Sequence, residues 1–124
     1  MKRIVSILAV AILLTACQKE DKNGDLGGFW KLLQIEETAT EKVINKRNED
    51  CFWSIQLKLI EIKENLGRFQ HTGDSLFVQM IETTGNMSDY GIYNQKNERF
   101  RVNHLDRNGM ILESKHAVLT FRKF

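Results

Sequence analysis

From Gly27 onward, apolar residues recur at every second position far more often than at every third or fourth, the spacing of half-buried strands. Trp30, Leu32 and Gln34 alternate with Phe29, Lys31, Leu33 and Ile35, which predicts a first strand near 28–36. Lys42-Val43-Ile44 predicts a short second strand, and Lys46 to Asp50 is charged and loop-like. Trp53, Ile55, Leu57 and Leu59 then share one face of a third strand, with Ser54, Gln56 and Lys58 on the other. Apolar positions next move to Ile60 and Ile62, and such a change of phase predicts a bulge. Leu59, Ile62 and Leu66 also stand at helical spacing, but the alternation that begins at Trp53 favours strand.

Asn65 to Gly67 predicts a turn into a fourth strand, Arg68 to His71. Gly73-Asp74 turns again into a fifth strand that carries Leu76, Val78 and Met80 on one face. Thr83 to Asn97 is the one long connection, and within it Asn86, Asp89 and Gly91 have the spacing of cap, N3 acid and terminator of a single helical turn over 86–91. Phe100 and Val102 mark a sixth strand. Asn108-Gly109, set between alternating apolar residues, is a strong two-residue hairpin signal. It leads to a seventh strand with Met110 and Leu112, and Ala117, Leu119 and Phe121 make the eighth. The predicted fold class is therefore all-β, an up-and-down antiparallel meander of eight short strands that closes into a small barrel, since closure removes both exposed edges. Eight strands enclose a space just wide enough to be filled by their own side chains or to hold one small ligand.

The start of the chain has a different grammar. Lys2 and Arg3 precede an 11-residue run, Ile4 to Leu14, broken only by Ser6, and Thr15 and Ala16 follow. A basic segment, a short apolar run and small residues before a cut form a secretory signal, and 11 residues fall well short of the ~20 that a permanent membrane helix needs. Leu14-Thr15-Ala16-Cys17 resembles the lipobox of bacterial lipoproteins. That resemblance implies cleavage between Ala16 and Cys17, a diacylglyceryl thioether on Cys17 and acylation of the freed amine. Several acyl chains, at ~0.8 kcal/mol per buried methylene, make such an anchor close to permanent. The expected organisation is a signal peptide at 1–16, a polar tether at 17–26 and a single domain at 27–124. The expected location is the Gram-negative cell envelope, anchored by lipid, at the outer membrane. Lys19, Glu20 and Asp21 resemble a surface-export signal of certain Gram-negative lipoproteins, which points to the cell surface.

Composition sharpens this picture in three places. The formal net charge of the whole chain is +2, and Lys2 and Arg3 account for it, so the segment from Cys17 carries 16 basic and 16 acidic residues. A neutral domain lacks the basic stripe that phosphate binding requires, which argues against nucleic acid as a partner. With Cys17 lipidated, Cys51 has no partner within the chain, and between Asp50 and Phe52-Trp53 it reads as a small buried hydrophobe. There is no proline, so turns depend on Gly, Asn and Asp.

Gly28-Phe29-Trp30 resembles the Gly-x-Trp motif of lipocalins, in which the Trp closes one barrel end beneath a basic residue of the last strand; Arg122 or Lys123 is the implied partner of Trp30. Together with Phe52-Trp53-Ser54-Ile55-Gln56, His71-Thr72-Gly73-Asp74-Ser75-Leu76, Tyr90-Gly91-Ile92 and the ending Leu119-Thr120-Phe121-Arg122-Lys123-Phe124, the chain is similar to small lipocalin-like lipoproteins of unknown function. The resemblance spans the whole domain and implies architecture more than activity. Strands are shorter than in a full lipocalin, so a cavity, where present, is small. Its expected walls are Trp53, Ile55, Leu57, Phe77 and Met80, for a small apolar or amphipathic ligand. The other reading is a ligand-free barrel that binds or inhibits an envelope protein through loop 83–97, with Met87, Tyr90, Ile92 and Tyr93 exposed.

The remaining polar residues form no recognisable reactive group. His71, His104 and His116 are isolated from one another and lack metal-ligand spacing, so no metal and no cofactor is expected. No phosphate loop, nucleophile elbow or metalloprotease helix occurs, and the expectation is a protein that is not an enzyme. Asp74-Ser75-Leu76 resembles a motif at which some Gram-negative lineages O-glycosylate exported proteins, which makes Ser75 a candidate modification site; the same residues also suit an ordinary Asx turn.

Overall fold

A computed structural model describes residues 24–124. Ala16 and Cys17, the expected cleavage and lipid sites, lie outside the described residues. Nine strands follow a short 3-10 turn at Gly24–Leu26: β1 (Gly28–Glu37), β2 (Val43–Asn45), β3 (Phe52–Gln56), β4 (Leu59–Ile62), β5 (Asn65–Thr72), β6 (Ser75–Glu82), β7 (Glu98–Leu105), β8 (Gly109–Glu113) and β9 (Ala117–Lys123). Each strand from β3 onward pairs antiparallel with the next, and β9 returns to pair with β1. The sheet is thus a closed eight-stave barrel, as the turn spacing predicts.

The eight staves are not the eight strands of the sequence reading. β2 and β3 lie on the same edge of β1, Ile35 facing Ile44 and Trp30 facing Trp53, so they form one stave interrupted by residues 46–51. The missing stave comes from the third predicted strand, which is a hairpin. Its phase change is not a bulge but a two-residue turn at Leu57 and Lys58, with Leu57 at a φ of 54°. β4 then returns with Ile60 and Ile62 inward, opposite Ile55 and Trp53. The next turn also falls earlier than predicted. Lys63 and Glu64, with φ of 48° and 70°, make it in the left-handed pattern that suits a hairpin's twist. Asn65 opens β5 instead of turning; its side-chain amide donates to the carbonyls of Ile62 and Lys63, both at 3.0 Å, and its oxygen accepts from the amide of Thr84 at 2.6 Å.

Alternation fills the interior. β3 presents Trp53 and Ile55, β6 Leu76, Val78 and Met80, β8 Met110 and Leu112, β9 Ala117, Leu119 and Phe121, all buried. In β1 the register shifts between Leu32 and Gln34, so that Ile35 points inward with Trp30 and Leu32 where strict alternation would have placed Gln34. In β5 a glycine allows close approach: a Cβ on Gly67 would stand 2.9 Å from the Gln79 carbonyl and 2.8 Å from the Met80 sulfur.

Candidate functional site

A barrel can enclose a small molecule in its interior or at either of its two ends. Trp30, Leu32, Ile35, Trp53, Ile55, Ile60, Ile62, Leu76 and Phe100 are fully buried inside the barrel. The Trp53 ring packs edge-on to Phe121 at 4.8 Å and to Phe100 at 5.9 Å between centroids, the offset geometry that aromatic pairs prefer. Of the expected pocket wall, Trp53, Ile55 and Met80 are interior and closely packed. Leu57 and Phe77 are not part of an interior wall: Leu57 sits 64% exposed on the β3–β4 turn, and Phe77 is half-buried on the outer face of β6, where the Arg99 guanidinium lies 5.7 Å from its ring centroid. The five residues therefore do not converge on one cavity. A groove of about 400 Å³ beside Phe77 lies on the outer wall, between β5, β6 and Lys96.

One end is sealed by the entering chain. Trp30 donates its indole N–H to the carbonyl of Leu26 at 2.7 Å, which pins the first 3-10 turn across the opening. The Lys123 ammonium stands 4.3 Å from the Trp30 ring centroid and donates to the carbonyls of Asp25 at 2.9 Å and Gly27 at 2.6 Å. Gly28, with φ 116°, makes room for it, because a Cβ there would meet the Lys123 side chain at 2.9 Å. Of the two basic candidates for Trp30, the fold uses Lys123; Arg122 alternates outward and is exposed.

The other end is closed by the long connection. Asn86 accepts from the Ser88 amide at 3.1 Å and Gly91 ends the 3-10 turn Met87–Tyr90 in the left-handed region, as their spacing predicts. The apolar residues of this segment are not displayed to solvent. Met87 and Ile92 are fully buried, and Tyr90 and Tyr93 are half-buried. Trp53 donates to the Tyr90 carbonyl at 3.1 Å. The Tyr93 hydroxyl donates to Glu37 at 3.0 Å and its ring stacks on His116 at 5.3 Å; burial, then the Glu37 hydrogen bond, pushes its pKa up to about 12. Glu98, buried, accepts the amides of Tyr93 at 2.7 Å and Asn94 at 3.2 Å. No local motif marks Glu98, and its role is visible only once Tyr93 and Asn94 turn back onto it.

Two sealed ends, an eight-stave closure and a Trp beneath a basic residue of the last strand together define the architecture. Residues 12–124 match the family described as Lipocalin-like domain. The chain belongs to that lipocalin-like family. A lipocalin-like protein from Bacteroides uniformis of known crystal structure shares the fold with a TM-score of 0.68 and 22% identity, over 82% of this chain and 100% of that one. An uncharacterized protein from Bacteroides eggerthii does so with a TM-score of 0.63 and 14% identity, over 79% of this chain and 98% of that one. No curated protein matches the chain.

Within this lipocalin-like domain Cys51 is buried and its thiol free. Burial pushes its pKa up from 9.0 to about 11, against a smaller downward pull from Lys46 and Lys63. A thiol held so high is a poor nucleophile at neutral pH. We expect Cys51 in folded protein to resist a thiol-reactive disulfide at pH 8 over a time in which urea-unfolded protein reacts completely; equal rates would show the site to be open. The sign of the shift makes the associated stability present below pH 9.0 and lost as pH rises through about 11. Ser75 is the half-buried first residue of β6, paired with Arg101, directly after the Gly73-Asp74 turn. Among the described residues no group of three or more His, Cys, Asp or Glu is placed to hold a metal ion, and no helix is long and apolar enough to cross a membrane.

Proposed function

We propose that the protein is a lipid-anchored, non-catalytic binding protein of the Gram-negative envelope, held by acyl chains on Cys17, which takes a small apolar or amphipathic molecule at the loop end of its barrel. Family membership supports the class of ligand. One observation carries the position: at that end the core is completed by Met87 and Ile92, which belong to a connection and not to a stave. Strand residues are locked by ladders on both sides, whereas this connection is held over the barrel end by a few separate hydrogen bonds, with Trp53, Asn65 and Glu98. The ligand would occupy the space these two side chains fill when the loop is down.

Truncating the stopper tests the idea. Met87→Ala removes apolar volume where the loop backbone remains tied down by Trp53, Asn65 and Glu98. It is expected to increase binding of an environment-sensitive apolar fluorophore several-fold over the parent, with the fold retained by circular dichroism. Unchanged dye binding in the folded variant would end the proposal. The packed interior favours a second reading, a ligand-free barrel that engages an envelope protein through the outer surface of loop 83–97. Native mass spectrometry of protein purified from its own envelope separates the two, since one predicts a retained small molecule and the other a retained protein.

A further inference from the structure

On the outer wall, at the seam where β1 meets β3 and β9, three phenylalanines meet in the open. Phe29 is 50% and Phe124 72% exposed, and the rings of Phe52 and Phe124 touch edge-to-face at 4.8 Å. Phe124 is laid across β1 by its amide, which donates to the Phe29 carbonyl at 2.9 Å. Together they line a cleft of about 280 Å³ with no other residue in its wall. None of the three contributes to the interior, where Trp30 and Trp53, their neighbours in sequence, already point. Alternation along the strands would be served by any polar residue at Phe29 and Phe52. Exposed apolar clusters of this kind mark surfaces that are covered in use.

We infer that this seam is a membrane-docking face, with the interfacial region of a lipid bilayer as its occupant. The inference rests on the proposed acylation of Cys17. The described chain begins at Gly24, crosses the adjacent barrel end and reaches Phe29 five residues later. Seven residue steps separate Cys17 from Gly24, a reach of at most ~25 Å when fully extended. A bilayer holding Cys17 is therefore always within range of this end of the barrel, and so short a tether gives even weak contact a high effective concentration. Phe side chains seated at the boundary between headgroups and acyl chains, with basic residues beside them, are the pattern of proteins that lie on a membrane. Lys31, paired with Phe52 on β3 and with Arg122 on β9, sits beside the cluster, with Arg122 on its β9 side. Phe29 and Phe52 also border a groove on the β4 side, whose far rim carries Asp50, Glu61 and Glu64 with Lys63 among them. The domain accordingly tilts onto lipid by its β9 flank and keeps that carboxylate rim in water. The loop end, at the opposite pole from the tether, then faces away from the anchor.

Hydroxyl-radical footprinting of the mature lipoprotein in phosphatidylethanolamine–phosphatidylglycerol vesicles tests this without altering the chain. Oxidation of Phe29 and Phe124 is expected to fall several-fold relative to Cys17→Ser protein in lipid-free buffer. Ile81, 45% exposed on β6 across the barrel, should not change. Phe29→Ser combined with Phe124→Ser should leave vesicle flotation intact and restore radical access to Phe52. Vesicle-bound protein whose Phe29 and Phe124 oxidise as readily as in buffer overturns the inference. So does protection already complete in lipid-free protein, which would assign the cleft to a second copy or to another segment of the chain. If the natural product carries no acyl chains and does not float, the acylation reading fails by itself. Coupling a maleimide lipid to Cys17 then supplies the anchor, Cys51 being buried, and the same footprint decides the docking face.

Discussion

Trp53→Ala is expected to lower the unfolding free energy by about 3–5 kcal/mol, the cost of a large aromatic removed from a packed core. Several losses coincide there. The ring is fully buried, it makes edge-to-face contacts with Phe100 and Phe121, and its N–H holds the Tyr90 carbonyl. The milder Trp53→Phe change keeps part of the packing and loses the hydrogen bond, worth about 0.5–1.5 kcal/mol. Urea titration followed by circular dichroism reads both. A loss below about 0.5 kcal/mol for Trp53→Ala is the size of an ordinary surface change and would mean that the interior is looser than its burial implies.

Gly91→Ala is the second large effect, of order 3 kcal/mol when overpacking and left-handed backbone are added. The φ of 98° disfavours any side chain, and a Cβ would stand 2.6 Å from a Leu119 methyl carbon inside the barrel. Gly73→Ala is the control, since its φ is 60° but nothing lies within 4 Å of the added carbon. It isolates the conformational cost, ~1–2 kcal/mol. Thermal unfolding of both variants measures the difference, which is the steric cost of lifting the loop from Leu119. Equal losses would show that the loop end yields freely. A Gly91→Ala domain that stays folded should also take up the apolar fluorophore more readily than the parent, because the substitution works on the same stopper as Met87→Ala.

Much of this architecture is legible in period two. Leu76, Val78, Phe100, Met110 and Leu119 announce their own burial because each sits in a clear alternation with a turn on at least one side. The helical turn at 86–91 is legible for a local reason as well, since Asn86 caps it with its own side chain and Gly91 ends it with its own backbone. What pattern cannot supply is a conformation that side-chain type disguises. Leu57 and Lys63 look like strand or helix residues, yet both occupy left-handed turn positions that Gly or Asn would have signalled. Asn65 carries a turn residue's chemistry but spends it as a clamp between the β4–β5 turn and Thr84, a contact 19 positions away. The site suffers most from this. Once Leu57 is a turn and Phe77 faces outward, the expected pocket wall dissolves. Met87 and Ile92, read as loop surface, prove to be core, because connection residues have no alternation to betray which way they point. The choice of Lys123 over Arg122 depends on a one-residue difference in register at the end of β9.

The double duty of β1 bears on how the barrel is made. Its ladder to β9 joins Trp30 to Lys123 and Glu37 to Ala117, so the strand that emerges first is completed by the one that emerges last. Closing a loop of that length carries an entropy cost that grows with the logarithm of its size, and non-local pairing of this kind places a domain among the slow folders, in milliseconds to seconds. Until Ala117 to Lys123 arrive, β1 can form its pairings with β2 and β3 but keeps one edge bare. Trp30 can meet Leu26 early, yet Lys123 reaches it only at the end. Closure of the ring thus waits on the final stave, and loss of β9 as a whole would leave an open sheet with the β1 edge from Trp30 to Glu37 available to other chains.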